Sequence, residues 1–136
     1  MDLGGDMKLM VCYDNSNGAQ EALKLAIQHS KNFKAKVYLV TSLVGGSKDD
    51  VEENINAENH LEYGKSLLEK EGIECESRLM IRGMEPGEDL VKFANDNDID
   101  EILIGIQKTS KVGKLLFGST AQYVILEASC PVVTVK

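Results

Sequence analysis

Apolar runs alternate along the chain with stretches in which apolar residues recur every three or four positions. The first run, Lys8 to Tyr13 ("KLMVCY"), stops at the turn formers "DNSNG" and reads as a buried strand leaving its core. Ala19, Leu23, Ala26 and Ile27 then fall at helical spacing, with Ser16 or Asn17 available as N-cap. "KVYLVTSLV" is a second β-branched run, released by Gly45 and Gly46. Between Asp49 and Glu71, Val51, Ile55, Leu61, Leu67 and Leu68 fall near one helical face, predicting a second helix with a frayed start; Gly45 to Asn59 is the candidate mobile stretch. "ECESRLMI" reads as a third strand, "PGEDLVKFANDN" as a third helix with Pro86 near its first turn, and "EILIGI" as a fourth strand. A last helix begins near Gly118, and "PVVTVK" forms a fifth strand whose entry at Pro131 suits a sheet edge.

Strands alternating with helices, several of them apolar on both faces, predict a doubly wound α/β domain with a five-stranded, mainly parallel sheet. At 136 residues the expectation is a single domain spanning 1–136. No apolar run reaches the length of a membrane span, and "MDLGGDMKLM" lacks the layout of a secretory signal, so a cytoplasmic protein is expected. A formal net charge of −7 with no Lys/Arg stripe argues against nucleic acid and anionic membrane as partners. Cys12, Cys75 and Cys130 form no CxxC pair and no metal spacing with His29 or His60; Cys12 and Cys130 read as small buried hydrophobes.

In open α/β sheets, ligands bind beyond the carboxyl ends of the strands. Four segments lie there: Asp14–Gly18, Ser42–Ser47, Arg82–Glu85 and the long Gly105–Phe117 loop. The last, within "GIQKTSKVGKLLFGST", combines glycines with Lys108, Lys111 and Lys114 and leads into Gly118, Ser119 and Thr120 at a helix start. Free amides, hydroxyls and the helix dipole there suit a phosphate, although a solvated basic loop has the same composition. Asp14 can contact a ligand or cap the first helix. There is no GxxxxGK[ST], no GxGxxG after the first strand, no Ser/His/Asp set and no HExxH, so no catalytic residue and no metal site are assigned.

From Lys8 to Lys136 the chain resembles the universal stress protein family. "KLMVCYDNSNGAQEALKLA" is similar to that family's opening strand, aspartate, small turn and Ala/Leu-rich helix; "RGMEPGEDLVKFANDNDIDEILIGI" is similar to its middle, and "GKLLFGSTAQYVILEASCPVVTVK" to its end. Its nucleotide-binding signature is glycine, two residues, glycine, nine residues, then glycine with serine or threonine. Gly105, Gly118 and Ser119 match, and Lys108 stands at the second glycine. The resemblance implies strand order 3-2-1-4-5 and a ligand between the first and fourth strands. It also implies ATP (or ADP or AMP), with or without magnesium, and a homodimer, for which the "PVVTVK" edge is the candidate. By position, Asp14 would contact adenosine, the backbone near Ser42 the adenine, and Gly105, Gly118, Ser119 and Thr120 the ribose and phosphates. Lys108 either blocks the phosphate path or places an ammonium on a phosphate. The resulting expectation is a cytoplasmic stress-response protein acting as an adenine-nucleotide-regulated dimer. The alternatives are a dimeric interaction module that has lost its nucleotide and, last, an ATPase or phosphotransferase.

Overall fold

The computed structural model of the chain describes residues 7–14, 16–47, 50–108, 115–116 and 118–136. In chain order they form β1 (Met7–Cys12), α1 (Asn17–Asn32), β2 (Ala35–Leu43), α2 (Asp50–Lys70), β3 (Glu74–Ile81) and α3 (Pro86–Asp96). These are followed by β4 (Glu101–Gly105), β5 (Gln107–Lys108), β6 (Leu115–Leu116), α4 (Ser119–Glu127) and β7 (Val132–Val135). The five long strands make one sheet in the order β3-β2-β1-β4-β7, every neighbouring pair parallel. Counting those strands alone, this is the order 3-2-1-4-5, and the fold is doubly wound α/β.

Alternation along the central strands builds two apolar layers. Leu9, Val11, Val37, Leu39 and Leu103 pack with Ala19, Ala22, Leu23 and Ala26 of α1 and Leu61 and Leu68 of α2. Met10, Cys12, Tyr38, Val40, Ile102 and Ile104 pack with Leu90, Phe93 and Ala94 of α3 and Ala121 and Val124 of α4. β1 lies in the middle of the sheet, and its Leu9, Met10 and Val11 have no exposed surface. The edge strands β3 and β7 are only partly covered, so the doubly apolar reading holds for the centre of the sheet. Pro131 precedes an edge strand, as its missing N–H favours.

Two expectations need correction. In α2, Leu61, Gly64 and Leu68 are the buried residues, while Val51 and Ile55 are 66% and 53% exposed. At about 100° per residue, the six positions from Ile55 to Leu61 rotate the helix well off its buried stripe. The helix is already formed at Asp50, where Asp50, Glu52 and Glu53 complement the dipole of its first turn, so residues 50–59 of that stretch are helical. The Gly105–Phe117 segment is also more than a loop. β5 and β6 pair antiparallel within it, Gln107 opposite Leu116 and Lys108 opposite Leu115.

Candidate functional site

A cavity of about 360 Å³ opens where β1, β2 and β4 end, floored by Cys12, Val40 and Ile104 and flanked by Pro86 and Leu90 of α3. Asp14, Ser42, Gly105, Gly118, Ser119 and Thr120, six of the seven expected site residues, all line it. The seventh is Lys108. Its backbone belongs to β5, an extended conformation open to any residue, while its side chain lies outside the described residues, as do Lys111 and Lys114.

Each residue is brought there by a local cause. Asp14 follows the last residues of β1, and its Oδ1 accepts from the Ser16 amide at 2.8 Å. Ser16, not Asn17, caps α1, its Oγ accepting from the Ala19 amide at 3.1 Å. Asp14 therefore orders the entry to α1 from an exposed position on the cavity wall, with the capping bond itself left to Ser16. Gly105 ends β4 against the first turn of α1. A Cβ on Gly105 would stand 2.5 Å from the Ala19 nitrogen, and one on Gly18 3.1 Å from the Gly105 Cα. The glycine is required by the packing of backbone on backbone, which draws α1 onto the sheet beside the cavity.

Gly118 has a different reason to be glycine. Its φ of −62° suits any residue, and a Cβ there would meet nothing within 4 Å among the described residues. It is the N-cap of α4 and supplies no side-chain cap, so the amides of the first turn face the cavity mouth without a capping hydroxyl. Those amides and the hydroxyls of Ser119 and Thr120 form the polar, dipole-positive end of the cavity.

The opposite end, at the tip of β2, is built from a network that local sequence patterns do not reveal. Ser42 Oγ donates to Asp89 Oδ2 at 2.7 Å, and Arg82 Nε donates to Asp89 Oδ1 at 2.7 Å with a second bond from its Nη2. Asp89 has no exposed surface although it carries a carboxylate. The guanidinium and the hydroxyl satisfy it. The one available signal was position: Asp89 stands one helical turn before Phe93 on the apolar stripe of α3, an acid where a hydrophobe is expected. Beside Ser42, the buried Thr41 donates its hydroxyl to the Tyr13 carbonyl.

Cys12 forms part of the floor. Burial, reinforced by the negative potential of Asp14 and by Cys130, pushes its thiol up to about 12. It remains protonated at neutral pH and is no nucleophile. Cys130, expected to be buried, is half-buried and packs against the edge of the same apolar layer.

On the other side of the Asp14–Thr41 rim lies a second hollow of about 480 Å³, lined also by Glu52, Glu53 and His60 of α2. Its carboxylates repel an anion, whereas the α4 end of the first cavity carries the positive end of a helix dipole. Among the described residues no three His, Cys, Asp or Glu side chains are placed to hold a metal, and Asp14 is the one carboxylate on the first cavity. A magnesium ion there would depend on phosphate oxygens for most of its ligands.

Fold and cavity together define a doubly wound α/β protein with a crevice at its strand ends, the place where open α/β sheets bind ligands. The model of the universal stress protein family matches residues 7–136. A universal stress protein of Methanocaldococcus jannaschii is 32% identical over 95% of this chain and 81% of its own length. The structure of a universal stress protein from Archaeoglobus fulgidus superposes with a TM-score of 0.84 at 40% identity, covering 96% of this chain and 93% of that one. A second structure from that organism, in complex with dAMP, matches at 34% identity and TM-score 0.80 over 98% of this chain and all of its own (100%). The chain belongs to the universal stress protein family.

Proposed function

We propose that this protein binds an adenine nucleotide in the cavity at the ends of β1, β2 and β4 and acts as a nucleotide-regulated dimer in a cytoplasmic stress response. The observation that carries the reading is the convergence of Asp14, Ser42, Gly105, Gly118, Ser119 and Thr120 on one crevice. That crevice has a dipole-positive end for phosphate and an apolar middle for a flat ring, and its volume of about 360 Å³ falls in the usual range of ligand sites. The dAMP complex of a relative 34% identical to this chain supports the choice of ligand. Asp14 takes the nucleoside, the backbone near Ser42 the base, and Gly118, Ser119 and Thr120 the phosphates. Gly105 acts through packing. ATP, ADP and AMP share these requirements, and magnesium would accompany the longer phosphate chains.

Lys108 at the second signature glycine favours a second reading, a dimeric interaction module of the same fold without nucleotide. Phosphoryl transfer ranks below both, because among the described residues the cavity offers one carboxylate and no positioned base. Mass spectrometry of the natively purified protein, followed by calorimetric titration with ATP and AMP, separates the first two. The expected result is co-purified adenine nucleotide and saturable binding. Absence of both in a folded protein overturns the reading in favour of the interaction module.

A further inference from the structure

The first turns of α3 and α4 share one wall of the cavity, with Pro86 and Leu90 from α3 and Gly118, Ser119, Thr120 and Ala121 from α4. Gly87 lies in that turn of α3, buried and off the cavity surface. Its φ is not positive, so the conformation of the chain does not ask for glycine. The neighbouring helix does. A Cβ on Gly87 would stand 2.8 Å from Tyr123 Cβ, 3.0 Å from its Cγ and 3.1 Å from its Cδ1. The Cβ of Tyr123 is fixed to the α4 backbone and no change of rotamer moves it, so a side chain at position 87 fits only if one helix moves off the other.

α4 is the helix that would yield. The first turn of α3 is tied to the sheet through Asp89, which accepts from Ser42 at the end of β2 and from Arg82 just beyond β3, both at 2.7 Å. α4 has no side-chain cap to hold its start. Tyr123 follows Ser119 by four positions and shares its face of the helix, so pressure at Tyr123 acts one turn below the amides and hydroxyls at the dipole-positive end of the cavity.

We infer that Gly87 is a positioning residue: its missing side chain lets α4 close against α3 to the spacing at which the first turn of α4 meets a phosphate in the cavity. The inference rests on the nucleotide-binding reading and adds to it a residue outside the cavity lining that acts through Tyr123. Hydrogen bonds weaken steeply when donor and acceptor are misplaced, whereas the β1 and β2 ends of the cavity are carried by the sheet and stay where they are. A side chain at position 87 therefore acts on the phosphate and spares the nucleoside.

The experiment titrates ATP and adenosine against the wild type, Gly87→Ala, Tyr123→Gly and Gly87→Ala/Tyr123→Gly, with the thermal midpoint of each recorded. Gly87→Ala should bind ATP about tenfold more weakly and adenosine within about twofold of the wild type. The double variant moves the glycine from α3 to α4 and clears all three contacts, so its ratio of ATP to adenosine affinity should return to that of Tyr123→Gly alone. A general loss of stability would weaken both ligands together and would not be reversed by a glycine inside α4. If Gly87→Ala does not fold, Gly87→Ala/Tyr123→Ala carries the test: the ring is gone but the Cβ remains, and its ratio should still fall below that of Tyr123→Ala. An unchanged ratio in folded Gly87→Ala, or in Gly87→Ala/Tyr123→Ala against Tyr123→Ala, overturns the inference, as does a ratio that stays low in Gly87→Ala/Tyr123→Gly. A wild type that binds ATP no better than adenosine overturns this inference alone, since α4 then meets no phosphate. A wild type that binds neither overturns it together with the nucleotide reading.

Discussion

Cys12 shows how one buried residue ties the cavity floor to stability. Its thiol, which in the unfolded chain ionises near 9.0, is raised by burial to about 12 in the fold. The folded state then holds a proton that the unfolded state releases, so the unfolded state binds fewer protons above pH 9 and stability falls with rising pH. The contribution is fully present below pH 9 and is lost between about 9 and 12, at a slope approaching about 1.4 kcal/mol per pH unit. Tyr13, raised for the same first reason, adds to the alkaline loss from a higher starting point. Urea unfolding between pH 8.5 and about 10.5 should show a distinctly shallower decline in Cys12→Ala than in the wild type. Equal slopes would mean that this thiol does not govern the alkaline limb. The two signature glycines diverge at the same scale. Gly105→Ala forces a Cβ onto the α1 backbone and should cost several kcal/mol, on the order of 3, with a lower thermal midpoint. In Gly118→Val the Cβ meets none of the described residues, so the variant should keep a near-native midpoint while abolishing nucleotide binding by holding a phosphate off the α4 amides. Unchanged calorimetric binding in Gly118→Val would place the phosphate elsewhere.

Among the elements, the β5–β6 hairpin decides what Lys108 can do. A glycine needed for positive φ would leave lysine strained by about 1 kcal/mol. Lys108 instead lies in an extended antiparallel ladder opposite Leu115, so the backbone tolerates it. The remaining issue is its ammonium. If it reaches a phosphate, Lys108→Glu should weaken ATP by roughly tenfold or more and adenosine hardly at all, while Lys108→Gly retains binding. Tighter ATP binding in Lys108→Gly would show that lysine obstructs the site. These elements also mark what could be read from the chain. Alternation and 3.6-residue periodicity are local, and they located the five long strands and four helices. The α2 stripe was misread because Val51 and Ile55 are apolar without being buried, and apolar composition does not say where a helix touches its sheet. The sheet order came from family resemblance, since no local pattern records which strands are neighbours. Long-range contacts stayed hidden for the same reason: Ser42 meets Asp89 across 47 positions, and Gly105 meets Gly18 in the first turn of α1.

For the whole molecule, the sheet has two edges of opposite character, and the difference predicts how two copies meet. β3 is crossed by charge: Lys36 on neighbouring β2 pairs with Glu76 at 2.6 Å and Glu74 at 3.8 Å, and Arg78 pairs with Glu76 at 2.9 Å. Such residues blunt an edge against addition of another strand. β7, "VVTV", carries no charge and, among the described residues, pairs with β4 on one side only; α4, which precedes it in the chain, carries Tyr123, Ile125 and Leu126 at 38%, 37% and 78% exposed. A strand unpaired among the described residues, together with the exposed large hydrophobics of the preceding helix, is the surface that homodimerisation would cover, the two β7 strands adding to each other. Leu126 offers the cleanest test, because its exposure means that Leu126→Lys removes no core contact and leaves folding intact. Two copies of a buried lysine facing an apolar partner should weaken the dimer by at least about tenfold. Sedimentation equilibrium at micromolar concentration should find the wild type dimeric and Leu126→Lys shifted toward monomer at an unchanged thermal midpoint of the isolated fold. A monomeric wild type, or a Leu126→Lys dimer of undiminished affinity, would remove β7 and α4 from the interface and leave the apolar edge without a role.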